Sequence, residues 1–240
     1  MEKRGSEGAK IGQTGQIRPV QASERFTFLR VVEGDAALPE ILRFRSEAYR
    51  ELGVSLQADA PSGQPRDEWD ATSVHIAARS EAGSLIATLR LVPDSPRGFP
   101  IERYKPSWLP FFYSLSRARV VEVTHLIVAK EYRGTKGFGT LSPRGSLMAT
   151  PVYYPRLLLG LFRSLFIECI HRRHDILLVA MDETLWRLLK RFGFEFEPIG
   201  QPLRYHGQVM PYFARVDDLL RLMSRRVEVL RYTIAGEPPA

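Results

Sequence analysis

Among 240 residues there is a single cysteine, Cys169. One thiol supports neither a disulfide framework nor a cysteine-rich metal site, so no metal is expected and a reducing, cytoplasmic setting fits. Long apolar runs are missing as well. No stretch reaches the roughly 18–20 uninterrupted apolar residues of a membrane-spanning helix. Met1–Gln16 is polar and glycine-rich, without the apolar centre of a signal peptide. Residues 1–24 therefore read as a disordered leader, 25–232 as one domain and 233–240 as a tail. Zinc-finger spacing and aromatic RNA-binding motifs are also absent. What the chain has is enough apolar residue, 44%, for a proper core, and basic charge, net +7 with a pI near 9.7. That balance suits nucleic acid, acidic membranes or acidic proteins. The basic stretches Arg43–Arg50, His171–His174 and Arg187–Arg191 are short and read first as solvated surface. Nucleic acid is not expected as the partner.

Periodicity organises the rest. Arg25–Val32 alternates as a strand, and Leu38–Leu52 repeats at helical spacing with Gly53 as its stop. Ser73–Arg79 and Ser84–Val92 flank the turn Glu81-Ala82-Gly83, a hairpin. Pro93–Pro110 holds five prolines and reads as irregular chain. Val120–Val128 is a strand, and residues 132–154 read as loop. Pro155–Arg173 is a long apolar helix, Asp175–Met181 a strand, and Glu183–Phe192 a helix capped by Asp182. Gln208–Val216 is a last strand before a helix from Asp217 to about Val227. The order describes a mixed sheet with helices on both faces.

The strand Val121-Glu122-Val123-Thr124-His125-Leu126-Ile127-Val128 carries the sharpest signal. It is β-branched and apolar, so it is buried, and a lone buried carboxylate is costly. Glu122 and Thr124 are two apart and point to one side, and alternation sends His125 to the other. A carboxylate and a hydroxyl on one face of a central strand suggest a site. The competing reading is a structural glutamate paired with a core arginine.

Four motifs resemble those of the long-chain N-acyl amino acid synthases and the related acyl-homoserine-lactone synthases. They are Phe44-Arg45-Ser46-Glu47-Ala48-Tyr49, then Asp67-Glu68-Trp69-Asp70, then the Gly83–Pro93 strand with Arg90-Leu91, and Glu122-Val123-Thr124-His125. Tyr205-His206-Gly207 followed by Pro211-Tyr212 is similar to the N-acyl amino acid branch. His125 stands where the related lactone synthases carry arginine. The resemblance implies an N-acetyltransferase-like α/β (α+β) fold with a mixed, mostly antiparallel central sheet. It implies transfer of a long-chain acyl group to the amine of an amino acid, giving an N-acyl amino acid. No bound cofactor is implied. The donor would be an acyl carrier protein thioester on phosphopantetheine, with acyl-coenzyme A as the alternative. Arg133-Gly134-Thr135-Lys136-Gly137-Phe138-Gly139 is only a partial pyrophosphate cradle.

In this reading Glu122 is the base that deprotonates the acceptor ammonium and Thr124 orients water or amine. Arg45, Asp67, Trp69, Asp70, Arg90, His125, Tyr205 and His206 are candidate substrate-binding residues. For Asp67, Asp70 and Arg90 a structural ion-pair network is the competing role. Arg156, Arg163, Arg172 and Arg173 would dock the acidic carrier, and the lipid product implies peripheral membrane contact. Leu158, Phe162, Leu165, Phe166 and Cys169 form a stripe that reads as core, or as the wall of an acyl tunnel. A lactone synthase using S-adenosylmethionine, or a non-catalytic acyl-binding module of the same fold, remain the alternatives.

Overall fold

The structure, a computed structural model, describes residues 26–51, 66–104, 116–132, 153–204 and 208–222, with the side chains of 153–155 left aside. Eight strands and three helices follow in chain order: β1 Thr27–Val31, α1 Leu38–Glu51, β2 Val74–Arg79, β3 Leu85–Pro93, β4 Val120–Val128, α2 Tyr153–Arg172, β5 Ile176–Met181, α3 Glu183–Arg191, β6 Glu197–Pro198, β7 Leu203–Arg204 and β8 Gln208–Arg215. Residues 216–222 turn into a further helix. Within the described residues the expected elements stand within a few residues of their places, and the expected end of the last helix near Val227 lies outside them. The two-residue strands β6 and β7 escaped the sequence reading because two residues carry no period. Asp182 caps α3 as expected, accepting the Leu185 N–H at 2.8 Å.

The sheet runs β1-β2-β3-β4-β5-β8-β6, with β7 paired to β8. Every ladder is antiparallel except β4 with β5, so the mixed, mostly antiparallel sheet is as expected. Alternation sorts the side chains. Val121 and Val123 join the main core with Leu157, Leu161, Leu165 and Phe166 of α2. Val120 faces the other way, into a second core with Phe99, Ile101, Ile176, Leu178 and Ile199. On that side α1 packs Leu38, Ile41 and Leu42 against Val31 and Ala77. Leu158, Phe162 and Cys169 are buried in the main core too. Burial pushes the Cys169 thiol up to about 12, so it is an inert packing group.

Two features of β4 shape the site. Its parallel ladder with β5 ends at Val123↔Val179, although both strands continue. Among the described residues nothing pairs with Thr124–Val128 on that side, and the sheet opens there as a notch. On the other side Arg90 pairs with Thr124 and Thr88 with Ile127, so His125 and Leu126 together oppose Leu89. This is a β-bulge, with His125 in the left-handed region at φ 52°. Among the described residues no helix is long and apolar enough to cross a membrane.

Candidate active site

Cross-strand register puts His75, Arg90 and Thr124 in one row, and Val92, Glu122 and Leu178 in the next. Both rows lie on the face that α1 covers. Arg90 is 1% exposed and sits at the centre. Its Nε donates to Thr124 Oγ1 at 3.0 Å, and its Nη1 donates to Asp67 Oδ1 and Asp70 Oδ1 at 2.6 and 2.7 Å. Arg45, reaching in from α1, forms a fork onto Asp70 at 2.7 and 2.6 Å. Asp67 and Asp70 tie their own turn: Asp67 Oδ1 accepts the N–H groups of Trp69 and Asp70, and Asp70 Oδ2 accepts that of Asp67. Burial alone would raise the Asp70 carboxyl, but the Arg45 fork and the Arg90 charge outweigh it and bring it to about 2. Burial likewise opposes ionisation of Asp67, and contacts from His125 and Arg90 still hold it well below the usual range.

This geometry shows how the candidate residues are engaged. Arg45, Asp70 and Arg90 are fully buried, with both guanidinium groups held on the Asp70 carboxylate. Trp69 is also buried. Its Nε1–H donates to Gly98 O at 2.9 Å and the Arg103 guanidinium stacks on its ring at 4.3 Å. Asp67, with a side chain 33% exposed, is the member of the network that a substrate could reach. Tyr205, His206 and the glycine-rich stretch from Arg133 to Gly139 lie outside the described residues.

His125 is the clearest correction. Strict alternation sends it to the face opposite Glu122 and Thr124. The bulge adds a residue and turns the imidazole onto the same face. Its Nδ1 lies 2.8 Å from Tyr49 Oη, and its Nε2 is 3.6 Å from Asp67 Oδ2. Burial and the Arg90 charge lower its pKa to about 3, so the ring is neutral. Tyr49, whose own hydroxyl burial pushes up to about 12, then donates to Nδ1. The proton rests on Nε2, facing the Asp67 carboxylate, and that buried Nε2 has no hydrogen-bond partner. The left-handed backbone disfavours β-branched side chains by about 1–3 kcal/mol. His125→Val is therefore expected to lose that much stability in urea unfolding, while His125→Asn loses less. Equal losses would mean the bulge does not depend on residue 125.

Glu122 is 3% exposed. Its Oε2 accepts the Ile101 N–H at 3.0 Å. Burial pushes its pKa up to about 8, against the opposing pull of that N–H and of Arg90, with Glu102 and Asp67 adding to the rise. An acid titrating near 8, beside the notch where β4 and β5 part, can exchange a proton with an amine. Of the docking candidates, Arg156 and Arg163 share one face of α2 with Ile167 and Ile170, which are 44% and 56% exposed. Arg172 departs from that stripe and pairs instead with buried Glu168, which Arg30 also holds. Arg173 closes α2 at φ 60°. Sequence reasoning missed the two exposed isoleucines, because apolar residues inside an apolar helix look like core.

Comparison with known proteins agrees with this fold. Residues 44–142 match the family model described as the acetyltransferase (GNAT) domain. That match and the fold define the class, an acyltransferase on the GNAT fold. Within it the chain is similar in structure to FeeM, an N-acyl amino acid synthase from uncultured soil microbes. The TM-score is 0.59 at 12% identity, covering 83% of this chain and 95% of that one. It is similar also to BjaI, a CoA-dependent acyl-homoserine lactone synthase solved with SAM and isopentyl-CoA, at TM-score 0.62, 16% identity and coverage of 84% and 89%. LasI, an AHL synthase, follows at TM-score 0.57, 13% identity and coverage of 83% and 93%. At these identities the likeness is one of fold. No curated protein matches the chain in sequence.

Proposed function

We propose that the protein is an N-acyltransferase that moves a long-chain acyl group from a carrier-protein thioester to the amine of an amino acid. The observation that carries this reading is Glu122: a buried carboxyl with a pKa near 8, on the strand that borders the notch between β4 and β5. The acceptor arrives as an ammonium ion. Asp67 attracts that charge, and Glu122, in its ionised fraction, takes the proton through water, since its own carboxyl is covered. The free amine attacks the thioester carbonyl. Peptide N–H groups of β4 beyond Val123, released from pairing with β5, stabilise the oxyanion. Collapse forms the amide and expels the thiolate, and the second proton lost from the nitrogen is the one the thiolate takes up. Thr124, fixed by Arg90, orients the water or the amine. The stripe of Arg156, Arg163, Ile167 and Ile170 combines positive charge with apolar contact, the complement of an acidic carrier that holds a lipid chain.

The test is mass spectrometry of lipid extracts from cells producing the protein, followed by purified enzyme with acyl carrier protein or coenzyme A thioesters. A new N-acyl amino acid identifies donor and acceptor together. Folded protein that yields no acylated amine, or yields homoserine lactones in the presence of S-adenosylmethionine, overturns the reading.

A further inference from the structure

Glu122 lies beneath a strap of chain, residues 94–104, whose last five residues form the 3-10 turn Pro100–Tyr104. Phe99 and Ile101 of the strap are buried in the second core, and the Ile101 N–H is the strap's hydrogen bond to Glu122. Arg117, three residues before β4, fastens both ends of the strap. Its Nη1 donates to Glu102 Oε1 at 2.6 Å and its Nη2 to Glu102 Oε2 at 3.2 Å. Nη2 and Nε reach Asp94 Oδ1 at 2.6 and 3.1 Å, and the guanidinium lies 4.9 Å over the Phe99 ring. Glu102 Oε2 also accepts the Phe99 N–H at 3.0 Å. The path is tight at Gly98, where φ is 70° and an added Cβ would stand 1.9 Å from Glu102 Oε2.

We propose that Arg117 is a positioning residue for Glu122: by clamping Asp94 and Glu102 it holds the strap closed over the carboxyl and keeps water and the Ile101 N–H in the places the reaction needs. The inference rests on the reading of Glu122 as the base. The pairs of Arg117 are each about a quarter exposed, so their worth to global stability is small. Their bidentate geometry instead fixes one local conformation. The groups that face Glu122 are Arg90 from β3, Asp67 from the turn before β2, and Glu102 and Tyr104 from the strap itself, with Leu178 opposite on β5. Burial is the largest of the influences on Glu122 and outweighs the loss of the Ile101 N–H. Opening the strap therefore moves its titration down.

The experiment is a carbon-13 NMR titration of the Glu122 carboxyl, assigned by its disappearance in Glu122→Gln, in Arg117→Ala, Arg117→Lys and Gly98→Ala. Gly98→Ala disturbs the strap without removing the cation, and serves if Arg117→Ala fails to fold. In Arg117→Ala and Gly98→Ala the midpoint is expected to fall by about one pH unit or more, with Arg117→Lys between them and wild type. The acid limb of the rate profile should move with it. A midpoint that stays in place in the folded variants overturns the proposal, and so does a midpoint that moves while the acid limb does not. The titration needs no turnover, so it stands apart from the assignment of the base. Full activity in Glu122→Gln would remove that assignment on its own.

Discussion

Glu122→Gln is expected to lower turnover by about 10²–10⁴-fold while leaving acyl-donor binding nearly intact. Glutamine has the same shape and can still accept the Ile101 N–H, but it cannot take a proton. In the wild type the rate should rise with pH up to about 8, as Glu122 ionises. The same substitution is expected to raise stability in alkaline solution. The folded pKa of Glu122 lies near 8 against 4.5 for the free side chain, so its contribution is complete below pH 4.5 and is lost as pH climbs through 8. That loss is on the order of 3–5 kcal/mol. The histidines act in the opposite sense. Burial lowers His75 to about 4 and His125 to about 3, and lowers His174 as well. Below about pH 6.5 the unfolded chain binds protons that the native state refuses, and stability falls with further acid. Together these groups place the wild-type maximum at roughly pH 6–7. Melting curves from pH 5 to 9 check this. Glu122→Gln should remove the alkaline decline and leave the acid one, and a variant that melts like wild type at pH 8.5 would refute the buried acid.

The largest loss of stability is expected at Asp70. Its carboxylate is fully buried and receives both Arg45 nitrogens, Arg90 Nη1 and the Asp67 N–H. Asp70→Ala leaves two buried guanidinium groups with one carboxylate, Asp67, near them. Breaking a buried ionic group in this way costs about 3–5 kcal/mol. Asp70→Asn keeps the volume but turns N–H donors towards N–H donors, and should recover little. The carboxylate itself is depressed to about 2 from 3.8, so its contribution is present above pH 4 and fades as pH falls towards 2. Urea unfolding at pH 7 measures the effect. A loss under about 1 kcal/mol would mean that the network relaxes around the gap and is not what fixes the turn from Asp67 to Asp70.

Much of the site was legible along the chain, for reasons that differ by residue. Glu122 stands out because a carboxylate in a β-branched run breaks the pattern of a buried strand. The Asp67–Asp70 pair and Arg90 stand out as charges beside strands, yet nothing local says that they bind each other. Arg117 gave no signal at all. Its partners are Asp94 and Glu102, 23 and 15 residues away, across proline-rich chain that periodicity cannot read. The strap looked irregular for the same reason, and its short turn is set by what it covers and not by its own propensity.

The sequence by itself determined the longer elements and their order, the burial of Val120–Val123 and the shared side of Glu122 and Thr124. Those follow from periods of two and of 3.6, which each segment carries within itself. Only the tertiary structure decided where His125 faces, because a bulge depends on the register of the partner strand. It decided likewise that Arg45, Asp70 and Arg90 are spent on one another, and that a strap closes over Glu122. These are meetings between distant segments. The energies that fix them, pairing of buried charges and exclusion of water, exist only once the chain has folded.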